Sequence, residues 1–176
     1  MTVISEAYRE QNRILHARDE DYGAGLSTRA WYPLIEKAIQ AWKPKSILDY
    51  GCGKKRFGNT FPHYMVDGYD PAVEGYDVSP DPAELVICLD VLEHIEPECL
   101  DAVLDDLQRV VLMKGFFSIA TGPSKRILAD GRNAHLIQKG PEWWLPKFMG
   151  RFRLESFQMR EKGLPEFAVV VARLEP

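Results

Sequence analysis

The sequence predicts an α/β domain with a predominantly parallel sheet, helices on both faces and an antiparallel C-terminal strand. Three observations predict it. Strand-like and helix-like segments alternate along most of the 176 residues. Two of the strand segments, "AELVICLD" (83–90) and "GFFSIATG" (115–122), are almost unbroken apolar runs, as expected of strands covered on both faces. The chain then closes on two strand-like segments in succession, which favours a hairpin-like pair over another crossover.

The elements follow in order. Residues 1–26 are expected to form an N-terminal helix and a lid. From Thr28 to Trp42 the apolar residues Trp31, Leu34, Ile35, Ala38, Ile39 and Trp42 recur at helical spacing, with Ser27 as N-cap and Lys43-Pro44 as the stop. A first strand, "SILDY", comes at once, and a second lies in "HYMVDGYD", ending at Asp70-Pro71. Only Pro71 to Pro82 separates it from "AELVICLD", so the third-strand region of a doubly wound sheet is shortened. A helix opens at Glu96-Pro97 and turns the stripe Leu100, Val103, Leu104, Leu107, Val110 and Val111 to the core. After "GFFSIATG", residues 124–146 read as a polar excursion on the substrate side, with a short helix near Glu142 to Trp144. "FRLESFQMR", a "KGLPE" turn and "FAVVVARLE" supply the final pair.

Composition sets the class. A hydrophobic fraction of 45% and a charged fraction of 27% are those of a soluble globular protein, and the length suits one domain, 1–176. The net charge of −4 gives no global attraction to a phosphate backbone. The short basic runs Lys43 with Lys45, Lys54 to Arg56, and Arg151 with Arg153 read as solvated faces. Cys52, Cys88 and Cys99 show no C-x-x-C spacing, which suits a reducing compartment. The N-terminal segment has no apolar signal-peptide core, and no run approaches the ~18 apolar residues of a membrane span, so a cytoplasmic location is expected.

The first strand runs into "LDYGCGKKRFG", where Gly51 and Gly53 open a tight turn to a ligand. In open α/β sheets ligands lie at such strand ends, beside the switch in strand order. A dinucleotide fingerprint needs a third glycine where Arg56 stands, and no G-x-x-x-x-G-K-[ST] is present, so pyrophosphate recognition is disfavoured.

These residues resemble the class I S-adenosylmethionine-dependent methyltransferases. "LDYGCG" matches that family's first motif, "GYDP" the acidic end of its second strand, and "LVICLDVLEHI" its fourth strand with an L-E-H sequel. The resemblance implies a Rossmann-like fold, S-adenosylmethionine as cofactor, and methyl transfer. It places Asp49, Tyr50, Gly51, Cys52 and Gly53 around the methionine end, Asp70 with Pro71 at the ribose, Leu89 and Asp90 beside the transferring methyl, and Tyr22 with Gly23 in the lid. The chemistry suits the cofactor, whose ammonium and ribose diol want carboxylates. Lys55 stands at the family's common third glycine, and Asp77 is the expected adenine contact. An ordinary tight turn, with Asp49 and Asp70 as capping groups, is the alternative.

On the acceptor side, Asp90, Glu93 and His94 fall at i, i+3 and i+4, and His135 stands in the polar excursion. His135 is expected to act directly, as base or orienting group, with Glu93 and His94 supporting the pocket wall. Trp143 and Trp144 either roof the acceptor pocket or pin their segment to the core. Some members of the family, including ubiquinone-pathway and small-RNA O-methyltransferases, hold a divalent metal with an acidic residue, E-H and a distant histidine. Asp90, Glu93, His94 and His135 resemble that set in order, but Asp90 replaces the commoner glutamate and no second downstream histidine follows, so a metal-free site is expected. The expected acceptor is an oxygen or nitrogen of a small molecule. RNA or DNA is the second acceptor class, and a catalytically silent cofactor-binding partner subunit is the rival reading.

Overall fold

A computed structural model describes residues 2–22, 28–160 and 165–174. Gly23 and Ser27 lie outside them, as does most of the "KGLPE" turn. Six strands form one sheet in the order β2-β1-β3-β4-β6-β5. β1 (Ile47–Tyr50), β2 (Val66–Tyr69), β3 (Ala83–Leu89) and β4 (Val111–Ala120) are parallel to one another. β6 (Glu166–Arg173) runs antiparallel to β4 and to the edge strand β5 (Phe152–Arg160). Among the described residues no strand lies between β2 and β3, so the shortened segment carries turns alone.

Helices cover both faces. α2 (Tyr32–Trp42) and α3 (Arg56–Thr60) bury Ile35, Ile39 and Phe57 against Ile47, Leu85, Ile87 and Phe116. On the opposite face α4 (Leu100–Val110) and α5 (Pro141–Met149) cover Val86, Cys88, Phe117, Ile119 and Val169. Alternate residues of β3 and β4 thus enter opposite cores, the period-2 consequence of a strand buried on both sides. The apolar stripe of α4 is buried as expected, except that Val111 already belongs to β4, because the helix passes into the strand without a loop. The Thr28–Trp42 helix begins as a 3₁₀ turn over Thr28–Trp31.

The excursion after β4 departs from its reading in one respect. Its helix is the nine-residue α5, and Trp144 sits in the core with no exposure while Trp143 packs against that core. The tryptophans therefore pin α5 to the sheet and do not roof a pocket. The N-terminal helix α1 (Glu6–Arg18) is capped by the Ser5 hydroxyl. Ser5 is itself held by the Glu96 carboxylate through its amide at 2.8 Å and its hydroxyl at 2.7 Å. Among the described residues no helix is long and apolar enough to cross a membrane.

Candidate active site

β1 lies between β2 and β3, so strand order reverses there and leaves a crevice at the carboxyl ends of the three strands. A cavity of about 590 Å³ occupies it. Asp49, Tyr50, Gly51, Cys52, Gly53, Asp70, Pro71, Leu89, Asp90 and Tyr22 all line this cavity, as do His94 and His135.

The glycine turn is fixed by β2 and by Asp70. Gly51 and Cys52 both donate their amides to the Tyr69 carbonyl, at 2.7 and 3.0 Å. Gly51 and Gly53 have φ of +79° and +48°, the region where glycine alone is unstrained. The Asp70 carboxylate accepts from the Gly53 amide at 3.1 Å and from the Ala72 amide at 3.0 Å. It thereby joins the ends of β1 and β2 and still has acceptor capacity toward the cavity. Asp49 is buried, and burial together with the neighbouring Asp70 charge pushes its carboxyl up to about 7. Tyr50 turns its ring to the core and donates its hydroxyl to Asp106 at 2.9 Å, so only its backbone serves the cavity.

Lys55, which replaces the third glycine, takes φ +53° itself. Its ammonium lies 5.2 Å from the Tyr76 ring centroid and its methylenes pack against Gly68, outside the cavity lining. Asp77 is exposed and also stands outside that lining.

The second end of the cavity is built by β3, β4 and the excursion. Asp90 ends β3 at φ +58°, a conformation that aspartate tolerates better than most residues. The His94 ring nitrogen Nδ1 lies 2.7 Å from the Ala134 carbonyl, and His135 Nδ1 lies 2.7 Å from the Gly122 carbonyl. A carbonyl only accepts, so both Nδ1 atoms carry hydrogen and both Nε2 atoms hold the lone pair when the rings are neutral. Burial lowers the His94 pKa against the opposing pull of Asp90. The rings meet edge to face with centroids 4.8 Å apart.

Glu93 is placed differently from the other two members of its triplet. It is wholly buried, stands outside the cavity lining, accepts from the Ala120 amide at 2.6 Å, and has its pKa raised by burial and by Asp90. It supports Asp90 and β4 from behind.

One ligand atom each from Asp90, His94 and His135 lies within 4.8 Å of the others. Imidazole nitrogens and a carboxylate oxygen are donors that a divalent transition metal accepts together, and side-chain movement would draw the three onto one ion. The backbone carbonyls behind both imidazoles are the outer partners that metal-binding histidines use. Asp90, His94 and His135 are the residues that would hold such an ion.

Several lining residues carry no signal in the sequence. Asn12 and His16 reach the cavity from α1, which is clasped over it by the Ser5–Glu96 contact and by the Tyr8 hydroxyl donating to the His94 carbonyl at 3.0 Å. Tyr22 hydrogen-bonds to Asn12, and Asp19 pairs with Arg126 across the cavity mouth. Asn133 shapes the His135 loop by accepting from the Ser124 and His135 amides, both at 2.9 Å.

This fold is that of the class I S-adenosylmethionine-dependent methyltransferases. The chain is similar to 1,6-didemethyltoxoflavin-N1-methyltransferase from Burkholderia thailandensis, solved with its substrate and S-adenosylhomocysteine, at a TM-score of 0.71 and 16% identity over 96% of this chain and 88% of that one. It is similar to magnesium protoporphyrin IX methyltransferase from Synechocystis PCC 6803 with bound S-adenosylhomocysteine, at 0.63 and 15% over 89% and 88%. It is also similar to the N-methyltransferase NodS from Bradyrhizobium japonicum WM9, at 0.52 and 10% over 75% and 79%. No protein-family model matches the sequence, and no curated protein matches it significantly.

Proposed function

We propose that this chain is an S-adenosylmethionine-dependent methyltransferase acting on an oxygen or nitrogen of a small molecule. The observation that carries the reading is a single cavity with paired carboxylates beside a glycine turn at one end and two oriented imidazoles at the other. Its volume of about 590 Å³ suits a cofactor with a small acceptor. When bound, S-adenosylmethionine supplies a methyl group on a sulfonium, open to in-line displacement. Asp70 accepts the ribose hydroxyls and Asp49, ionised, takes the ammonium. His135 Nε2 accepts the acceptor's proton as the new bond to the methyl carbon forms and the carbon–sulfur bond breaks. The proton then rests on an imidazole whose other nitrogen is held by the Gly122 carbonyl.

The Asp90, His94 and His135 cluster favours a second version of the same activity. Those three residues would hold a divalent ion, which would supply Lewis acidity to the acceptor oxygen in place of a base.

The test is methyl transfer from radiolabelled S-adenosylmethionine to a panel of phenols, hydroxy acids, amines and RNA, with and without chelator. Labelled small molecules support the reading. Label on RNA alone would replace the acceptor class, and cofactor binding without turnover on any acceptor would favour a silent subunit. Activity lost to chelator and restored by Mg²⁺ or Mn²⁺ would select the metal-dependent version.

A further inference from the structure

Asp90, His94 and neutral His135 bring hydrogen-bond acceptors, and no donor, to one spot in the cavity. Both imidazoles give their Nδ1 hydrogen to a backbone carbonyl, so the Nε2 lone pairs are what they offer a ligand. Among the described residues neither Nε2 has a hydrogen-bond partner, although His135 is only 4% exposed. The Glu93 carboxyl hydrogen-bonds Asp90 from behind. A carboxylate has about four lone-pair sites, so Asp90 keeps acceptor capacity toward the cavity it lines.

Buried acceptors left unmatched cost free energy, so the ligand that suits them is one with several hydrogens to donate. A hydroxyl brings one and leaves two of the three residues unmatched. A primary ammonium brings three, in a tetrahedral fan. Donating at roughly 2.8 Å, it sets its acceptors about 4.6 Å apart, and one atom from each of the three residues lies within 4.8 Å of the others. Charge points the same way. At His94 the charge of Asp90 acts more strongly than that of Arg126, which is itself paired with Asp19 at 2.5 Å. Lys125, another lining cation on this side, is exposed. Ile4, Tyr8 and Ala134 form a small apolar cluster that lines the same end and suits a compact hydrocarbon body.

We infer that the acceptor is a primary amine, bound as its ammonium by Asp90, His94 and His135, and that the transfer is N-methylation. The inference rests on the methyltransferase reading above and narrows it. His135 Nε2 takes one of the three hydrogens as a proton, which frees the nitrogen lone pair. That pair bonds to the methyl carbon as the carbon–sulfur bond breaks and its electrons return to sulfur. The product is a secondary ammonium whose two remaining hydrogens stay on Asp90 and His94, and the proton leaves His135 for water. Asp90 is then a specificity-determining residue, separating amines from alcohols of the same shape.

The test uses the full chain loaded with S-adenosylhomocysteine in excess EDTA, titrated with matched pairs: phenethylamine and phenethyl alcohol, benzylamine and benzyl alcohol, hexylamine and hexanol. Calorimetry should show the amine binding at least about tenfold more tightly than its alcohol, the scale of a charged hydrogen bond. Asp90→Asn removes the charge with a residue that tolerates the left-handed backbone at this position. It should weaken the amines by about 10- to 100-fold and change the alcohols by less than about threefold. Labelled S-adenosylmethionine should put its methyl group on the amine nitrogen with EDTA present. No preference for the amine in any pair, equal losses for both members in Asp90→Asn, or amine binding that appears only when Mg²⁺ or Mn²⁺ replaces the EDTA would overturn the inference. Label on phenols and on no amine would overturn it and leave the methyltransferase reading standing. Absence of S-adenosylhomocysteine binding to the wild type would remove that reading itself.

Discussion

Replacing Gly51 with alanine tests how closely the cofactor turn is fitted to the acceptor side. A Cβ at Gly51 would stand 2.4 Å from Val91 Cγ2 and 2.8 Å from Cγ1, and the residue has φ +79°. The left-handed backbone costs a side chain about 1–2 kcal/mol, and overpacking of this kind adds about 1–3 kcal/mol. Gly51→Ala should therefore destabilise by roughly 2–5 kcal/mol. Val91→Ala removes both clashing carbons and, at a half-buried site, should cost about 1 kcal/mol alone. The double variant retains the backbone strain and a tight 3.1 Å approach to Val91 Cβ but loses the two closest contacts, so it should be about 1–3 kcal/mol more stable than the sum of the singles predicts. Urea denaturation of the four proteins measures this directly. Additivity within about 0.5 kcal/mol would refute the contact between the glycine turn and Val91, the residue after Asp90.

Four further outcomes follow from the site. Asp70→Ala should weaken S-adenosylhomocysteine by about 1.5–3 kcal/mol and also destabilise the chain, because it strands the Gly53 and Ala72 amides; unchanged affinity in a folded variant would remove Asp70 as the ribose ligand. His135→Ala should lower kcat by about 10²-fold or more while cofactor affinity stays nearly constant, and steady-state kinetics at wild-type rates would remove it from the mechanism. Asp49, raised to about 7 in the folded chain, stays protonated where the unfolded chain has ionised, so its contribution to stability is present at low pH and is lost as pH rises from about 4 to 7. Ammonium binding needs the ionised form, so affinity for S-adenosylhomocysteine should rise up to about tenfold per pH unit below 7 and level off above; a flat profile from pH 5 to 8 would contradict this.

The parts of the fold legible in the sequence are those whose cause is local. The apolar runs of β3 and β4 are buried on both faces because the strands are central, and the stripe of α4 has one core to face. Gly51 and Asp70 were visible because a turn of that geometry limits which residues serve. What escaped depends on contacts distant in sequence. Asn12 and His16 stand on a helix of ordinary polarity, and only its clasp to Glu96, some 91 residues away, brings them over the cavity. Where the Lys55 side chain goes depends on its own backbone conformation, and its positive φ turns it toward Tyr76. The three basic residues at 54–56 read as one solvated face, yet Lys54 reaches the Asp19 carbonyl, Lys55 the Tyr76 ring and Arg56 the cavity. Trp143 and Trp144 read equally as roof or anchor, since composition does not say which side of α5 meets the sheet.

The central claim is that the cavity at the ends of β1, β2 and β3 holds S-adenosylmethionine. Calorimetric titration of the wild type with S-adenosylhomocysteine, paired with a thermal melt, tests it most directly. The account predicts saturable one-to-one binding and a stabilisation of roughly 2.7 kcal/mol when ligand reaches 100 times its Kd. No heat of binding and no thermal shift at millimolar ligand would contradict it.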